Sequence, residues 1–352
     1  MKVISAEDFG DSLFLNGTNR KTPVWGGIDL TFSCNMNCCH CYIPKSKEFI
    51  DRENELSFSE ICCLIDELVD EGCLFFTISG GEPLIRDDFI DIYLYAIKKG
   101  LIITILTNGT LITPELAKVF SKYPNTYIEI SLYGITTETY ENITKTPNSF
   151  EKCLQGIEAL LDNNVKLNLK TPILTLNAGE IIAINNFAKE KKLNFRCDPY
   201  VIPQLDGTKE PCKYRISPQD AVEFDFLFED RSNVIKERLL TKENSRQFFR
   251  KCTDSVCKFS ITPHGKLQKC TRMTTPSFNL HNSSFKEGWN SLYSMSLELF
   301  SNYPPEKYEC STCNKISICS PCPIDGIVEN GAIGSQVEYK CKLTDLRIKQ
   351  FS

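Results

Sequence analysis

Histidine is nearly missing from this chain: there are three in 352 residues, His40, His264 and His281. A metal centre assembled from imidazoles is thereby excluded, and thiolates must carry any metal. Excess positive charge is missing as well. The formal net charge is −5, so nothing recruits nucleic acid electrostatically. No apolar run approaches the roughly 20 residues of a membrane span. Residues 1–10 are acidic and lack the apolar segment of a secretory signal. No internal repeat or low-complexity tract is visible. These absences point to a cytoplasmic protein with neither a nucleic-acid nor a membrane partner.

Cysteine, by contrast, is abundant, with 18 residues. In a reducing cytosol dense disulfides are not expected, and metal ligation becomes the leading explanation. Hydrophobic residues make up 41% of the chain, enough for a large core.

Residues 25–201 alternate apolar runs ("GGIDLTFS", "LFFTISG", "LIITILTN", "YIEISLYG", "KLNLKTPI", "LNFRCDPYVI") with amphipathic stretches. Ser57-Phe58-Ser59-Glu60 reads as a capping box, followed by Ile61, Leu64, Ile65 and Leu68 at helical spacing. Helices are also expected over 89–99, 114–120, 150–162 and 180–191. Six strand–helix units predict a parallel sheet. Six are too few to close an eight-stranded barrel, so the expected class is α/β, a partial (β/α)6 TIM-like barrel. After Pro203 the pattern breaks into a polar linker, a helical stretch (221–240) and a cysteine-punctuated region. Within that region "SITPHGKLQKC" reads as a hairpin turning at His264-Gly265. The expected division is a lead-in over 1–23, the barrel over 24–235 and a cysteine-rich, metal-stapled domain over 236–352.

Cys34, Cys38 and Cys41 stand at C-x3-C-x2-C within "CNMNCCHCY". Three thiolates on a [4Fe–4S] cluster leave one iron open to a small chelating molecule. A closed zinc site needs four ligands, and Cys39 or His40 would have to complete it. The motif resembles that of radical S-adenosylmethionine (radical SAM) enzymes. That family often carries an aromatic residue just before the last cysteine; here His40 stands there and Tyr42 follows.

Further resemblance lies at successive strand ends. Gly80-Gly81-Glu82-Pro83 is similar to the family's GGEP stretch, which receives the amino group of SAM. Thr107-Asn108-Gly109 is implied to meet its sugar or methionine. Ser131 and Lys170 are implied partners of its carboxylate or ribose hydroxyls, and Tyr42 joins the cofactor-binding set. A turn or a satisfied polar residue is the plain alternative for each of these. All the same, C-terminal strand ends are where parallel barrels build active sites.

Eight cysteines close the chain: Cys252, Cys257, Cys270, Cys310, Cys313, Cys319, Cys322 and Cys341. Gly265-x4-Cys270, then C-x2-C-x5-C-x2-C, then a last cysteine resembles the SPASM extension of radical SAM enzymes, with Cys319 and Cys322 one residue closer than in some members. The resemblance implies two auxiliary [4Fe–4S] clusters, and so three in all. Cys252, Cys257, Cys270 and Cys322 would hold the inner one, and Cys310, Cys313, Cys319 and Cys341 the outer. A zinc ribbon over Cys310, Cys313, Cys319 and Cys322 is the rival explanation.

The implied chemistry is reductive cleavage of SAM and abstraction of a hydrogen from an unactivated carbon. "IEISLYGITTETYENITKTPNSFEKCLQGIEALL" resembles enzymes that mature ribosomally made peptides. A precursor peptide is therefore the expected substrate, with oxidative cross-linking (thioether, ether or carbon–carbon) ahead of epimerisation. Sulfatase maturation fits less well, because Thr271 stands where those enzymes carry an aspartate base. A flavodoxin- or ferredoxin-type donor would supply electrons. The short lead-in predicts no fused leader-binding domain, so a separate leader-binding protein is a further expected partner. Cys197, Cys212 and Asp198, near the barrel exit, are the candidates for a hydrogen donor or base. A tetrapyrrole or quinone-cofactor precursor is the alternative substrate, and a non-enzymatic iron–sulfur or zinc module the alternative class.

Overall fold

The computed structural model describes residues 6–124, 126–240, 257–302, 307–319 and 321–351. Helix α1 (Ala6–Arg20) precedes six parallel strands: β1 (Trp25–Asp29), β2 (Phe75–Ser79), β3 (Ile102–Thr107), β4 (Tyr127–Ser131), β5 (Leu167–Pro172) and β6 (Asn194–Asp198). Between them run α2 (Phe58–Asp70), α3 (Phe89–Lys98), α4 (Pro114–Ser121), α5 (Thr137–Thr144), α6 (Ser149–Asp162) and α7 (Ile181–Glu190). The expected partial barrel is present.

The local causes are plain in α2. Ser57 Oγ accepts from Glu60 N–H (3.4 Å), and Glu60 Oε2 accepts from Ser57 N–H (2.8 Å), closing the capping box. Ile61, Leu64, Ile65 and Leu68 are buried on its inner face. The strands alternate as a pleat requires. Ile28, Phe76, Ile78, Ile103, Ile105, Ile128, Ile130 and Leu169 are buried in the main core, which leaves the other strand face for polar residues.

Two features differ from the expectations. First, α5 was not foreseen, because "TETYENIT" is poor in helix formers. Non-local partners hold it: Glu180 accepts from Ile135 N–H (2.6 Å), Thr136 N–H (3.2 Å), Thr136 Oγ1 (2.6 Å) and Thr139 Oγ1 (2.6 Å). Second, the single helix expected over 221–240 is two, α8 (Pro218–Leu227) and α9 (Glu229–Leu240), broken at Phe228, where φ is −114° and ψ 110°.

The hairpin expected at His264-Gly265 forms from β7 (Ser260–Ile261) and β8 (Lys266–Gln268), with Gly265 at φ +66°. It continues the barrel sheet. The strand order is β6-β5-β4-β3-β2-β1-β7-β8-β9, where β9 is Ser277–Asn279 and Ile28 pairs Ile261 in parallel. Phe259, Ile261, Leu267, Phe285 and Trp289 share the barrel's core, while Met273, Tyr308, Ile316, Ile324 and Ile333 form a small second one. The chain ends in α10 (Phe285–Asn302), α11 (Ile316–Cys319), α12 (Pro323–Asn330) and α13 (Glu338–Phe351). No helix among the described residues is long and apolar enough to cross a membrane.

Candidate active site

The loop after β1 carries the first cysteines, and backbone bonds fix its course. Asn37 N–H donates to Thr144 O and Cys39 N–H to Ile143 O, each at 2.9 Å, so the C-terminal end of α5 seats the loop. Gly81 N–H donates to Thr31 O (2.8 Å) and Glu82 N–H to Ser33 O (2.9 Å). The glycines of GGEP are required by this packing. A Cβ on Gly80 would lie 2.2 Å from Thr31 O, and one on Gly81 2.3 Å from Ser33 O. Gly80 also sits at φ +139°, where side chains are strained.

A cavity of about 570 Å³ opens at the C-terminal ends of the strands. Cys34, Cys38 and Cys41 line it, together with Tyr42, Gly80, Gly81, Thr107, Asn108, Ser131 and Lys170. Burial, then repulsion from Cys41 and Cys34, pushes the Cys38 thiol up, and burial pushes Cys34 up to about 11. Three crowded thiols that resist ionisation alone fit a positively charged iron centre, which stabilises thiolate. His40 also lines the cavity, its ring edge-on to Tyr133 at 4.8 Å. Its buried Nδ1 has no hydrogen-bond partner among the described residues, and burial pushes its pKa down to about 4. A neutral ring with an unmet nitrogen suits an uncharged hydrogen-bonding ligand.

Glu82 and Pro83 are not in the cavity wall. Glu82 is fully buried. It accepts from Thr107 Oγ1 (2.8 Å), Asn108 N–H (2.8 Å) and Leu84 N–H (3.1 Å). It therefore ties the β2 end to the β3 end. Burial lifts its pKa to about 7 against those bonds. The Asn108 side chain faces the cysteine loop, with Nδ2 donating to Asn35 Oδ1 (2.8 Å).

Lys170 lines the cavity paired with Glu129 (3.5 Å), whose Oε2 also meets Arg196 (2.7 Å). Burial pushes the Lys170 pKa down. Cys197 and Asp198 reach the cavity; Cys212 does not. Sequence reasoning missed Glu129, Tyr133, Asn35 and Glu180. Glu129 alone left a signal, two residues before Ser131 and so on the same strand face.

The later cysteines fall into neighbourhoods. After burial, the largest influences on the Cys310 thiol are Cys319, Cys341 and Cys313, and together they push it up to about 12. Cys322 lies within the field of Arg272 and Cys270. Cys257 is buried, and its Sγ accepts from Thr18 Oγ1 (3.4 Å). Cys252 lies outside the described residues. Among the described residues, no three His, Cys, Asp or Glu side chains close to the spacing that a single metal ion demands.

Residues 28–188 match the radical SAM superfamily model. The chain carries a radical SAM domain. Such a domain takes one [4Fe–4S] cluster and SAM. Among relatives, Fe-coproporphyrin III synthase of Methanosarcina barkeri (strain Fusaro / DSM 804) is 35% identical over 200 residues, spanning 56% of this chain and about half, 49%, of that protein. The AdoMet-dependent heme synthase of the same organism is 25% identical over 321 residues, 84% of this chain and 89% of the relative. The structure of Streptococcus suis SuiB bound to precursor peptide SuiA superposes with a TM-score of 0.70 at 14% identity, covering 97% of this chain and 82% of that one. At that identity the likeness is one of fold.

Proposed function

We propose that the protein is a radical SAM enzyme that cleaves SAM and abstracts hydrogen from carbon in a ribosomally made peptide. Oxidative cross-linking is the leading outcome, with epimerisation second. The observation that carries this reading is the convergence of Cys34, Cys38 and Cys41 with the ends of β2, β3, β4 and β5 on one cavity. In this reading Cys34, Cys38 and Cys41 would hold the first cluster beside SAM, and the cluster, given one electron by an external donor, would supply the radical chemistry. Gly80, Gly81, Thr107, Ser131, Tyr42 and Lys170 surround the cofactor, and Glu82 acts from behind by fixing Thr107 and Asn108. Cys252, Cys257, Cys270 and Cys322 hold one auxiliary cluster. Cys310, Cys313, Cys319 and Cys341 hold the other, a grouping that fits the neighbours of Cys310 and Cys322. The peptide reading is supported by likeness to SuiB over 97% of the chain.

A second reading, an iron-tetrapyrrole substrate, is favoured by the sequence relatives, two of which are named for coproporphyrin and heme. One experiment separates the two. Protein reconstituted anaerobically with iron and sulfide is given dithionite, SAM and either any short peptide encoded beside its gene or Fe-coproporphyrin III. Peptide processing gives 5′-deoxyadenosine and a peptide two hydrogens lighter, or one of unchanged mass with deuterium uptake. A mass change in the porphyrin alone selects the second reading. No 5′-deoxyadenosine in any arm rejects both. Iron analysis of the same sample should give about twelve irons per chain, against about eight plus zinc for a zinc ribbon.

A further inference from the structure

Asn35, directly after Cys34, closes a ring of hydrogen bonds. Asn35 Nδ2 donates to Thr110 Oγ1 (2.9 Å), Thr110 Oγ1 donates to Asn108 Oδ1 (2.6 Å), and Asn108 Nδ2 donates to Asn35 Oδ1 (2.8 Å). The direction of donation is the same all the way round, the arrangement in which hydrogen bonds reinforce one another. The ring is anchored twice more. Thr110 N–H donates to Asn108 Oδ1 (2.9 Å), and Asn108 N–H donates to the buried Glu82 carboxylate (2.8 Å). Asn108 Nδ2 also lies 4.0 Å from Cys34 Sγ, which accepts Met36 N–H at 3.4 Å.

We infer that the Asn35–Thr110–Asn108 ring is a positioning device that fixes the Cys34 sulfur for the first iron–sulfur cluster and tunes that cluster's reduction potential. The inference rests on the proposed reading of Cys34 as a cluster ligand. Asn35 and Thr110 need no contact with SAM or substrate to act. They hold Asn108 so that its amide N–H lies beside the Cys34 sulfur. A donor beside a ligating sulfur stabilises the more negative, reduced state and raises the potential. The ring also crosslinks the cysteine loop to the β3 turn, so the Cys34 side chain is held before any cluster arrives. That arrangement gives Asn108 a role different from a direct contact to the SAM sugar.

The test needs no substrate. Thr110→Val and Asn35→Ala each open the ring, and Thr110→Ser keeps its hydroxyl. In apoprotein, the rate of Cys34 alkylation by iodoacetamide, read by peptide mass spectrometry, should rise several-fold in Thr110→Val and Asn35→Ala. In reconstituted protein, the midpoint potential of the first cluster, followed by electron paramagnetic resonance during dithionite titration, should move to more negative values. Auxiliary cluster cysteines replaced by alanine would isolate that signal. Thr110→Ser should return wild-type values in both measurements, which distinguishes loss of the ring from misfolding. Wild-type potential and labelling in Thr110→Val and Asn35→Ala would overturn the inference. So would a Thr110→Ser protein that behaves like Thr110→Val. A wild-type protein that assembles no SAM-responsive cluster would instead sink the proposed function itself, a separate and visible outcome.

Discussion

Asp29 and Gly80 illustrate how single residues shape the mouth of the barrel. Asp29 is buried at the end of β1, and burial pushes its pKa from 3.8 up to about 7, opposed by a hydrogen bond with Ser79. The folded value lies above the unfolded one, so the neutral carboxyl stabilises the fold fully below about pH 4. That contribution is lost as the pH climbs through 7. Asp29→Asn stays uncharged throughout. In thermal unfolding of the apoprotein its midpoint should therefore fall less than the wild type's between pH 4 and 7. Gly80→Ala combines a strained backbone with a Cβ pressed on Thr31 O. It should cost about 2 kcal/mol or more in urea unfolding. Iron bound after reconstitution should drop with it, because the displaced backbone is the base of the cysteine loop.

At the scale of the element, α5 carries the lesson. Its last carbonyls, Ile143 O and Thr144 O, receive two amides of the cysteine loop, yet its own sequence barely favours a helix. Its stability is borrowed from Glu180, some forty residues on. Glu180→Ala removes a carboxylate with four donors and should destabilise the fold by about 2 kcal/mol. Hydrogen exchange should speed up over 137–144 and at Asn37 and Cys39 together, while β1 to β3 stay protected. This is also where sequence legibility ends. The cysteine spacing, the GGEP and TNG turns and the capping box at Ser57 are local patterns, readable because each chemical requirement is met within a few residues. Glu129, Asn35 and α5 depend on strand register and on partners far along the chain. The continuation of the sheet by β7 was hidden for a related reason: two residues of strand leave no period to detect.

Across the whole molecule, the C-terminal helices are fastened to the barrel by buried charges. Asp225, fully buried on α8, takes Arg231 of α9 (2.7 Å) and Arg347 of α13 (2.7 Å), and Arg231 also donates to Cys197 O at the end of β6 (2.9 Å). Removing the acid strands two guanidinium groups. Asp225→Ala should cost about 3 kcal/mol and lower the thermal midpoint. Limited proteolysis should then release α13 before the barrel is cut. A buried pair of acids on α12 repeats the design: Asp325 meets Arg272 and Lys340, and Glu329 meets Arg215 and the Tyr200 hydroxyl.

Trp25 N–H donates to Cys257 O (3.0 Å) and Phe259 N–H to Trp25 O (3.2 Å). Cys257 is thus laced to the first residue of β1, the strand whose far end launches the loop of Cys34. Five residues of extended backbone, Trp25 to Asp29, about 13 Å from first to last, set the interval between the residue laced to Cys257 and the start of the loop that carries Cys34. Any electron exchanged between centres at those ends would have to tunnel across an interval set by covalent and sheet geometry. Its rate should therefore be indifferent to solvent viscosity, because no hinge has to swing for the hop to occur.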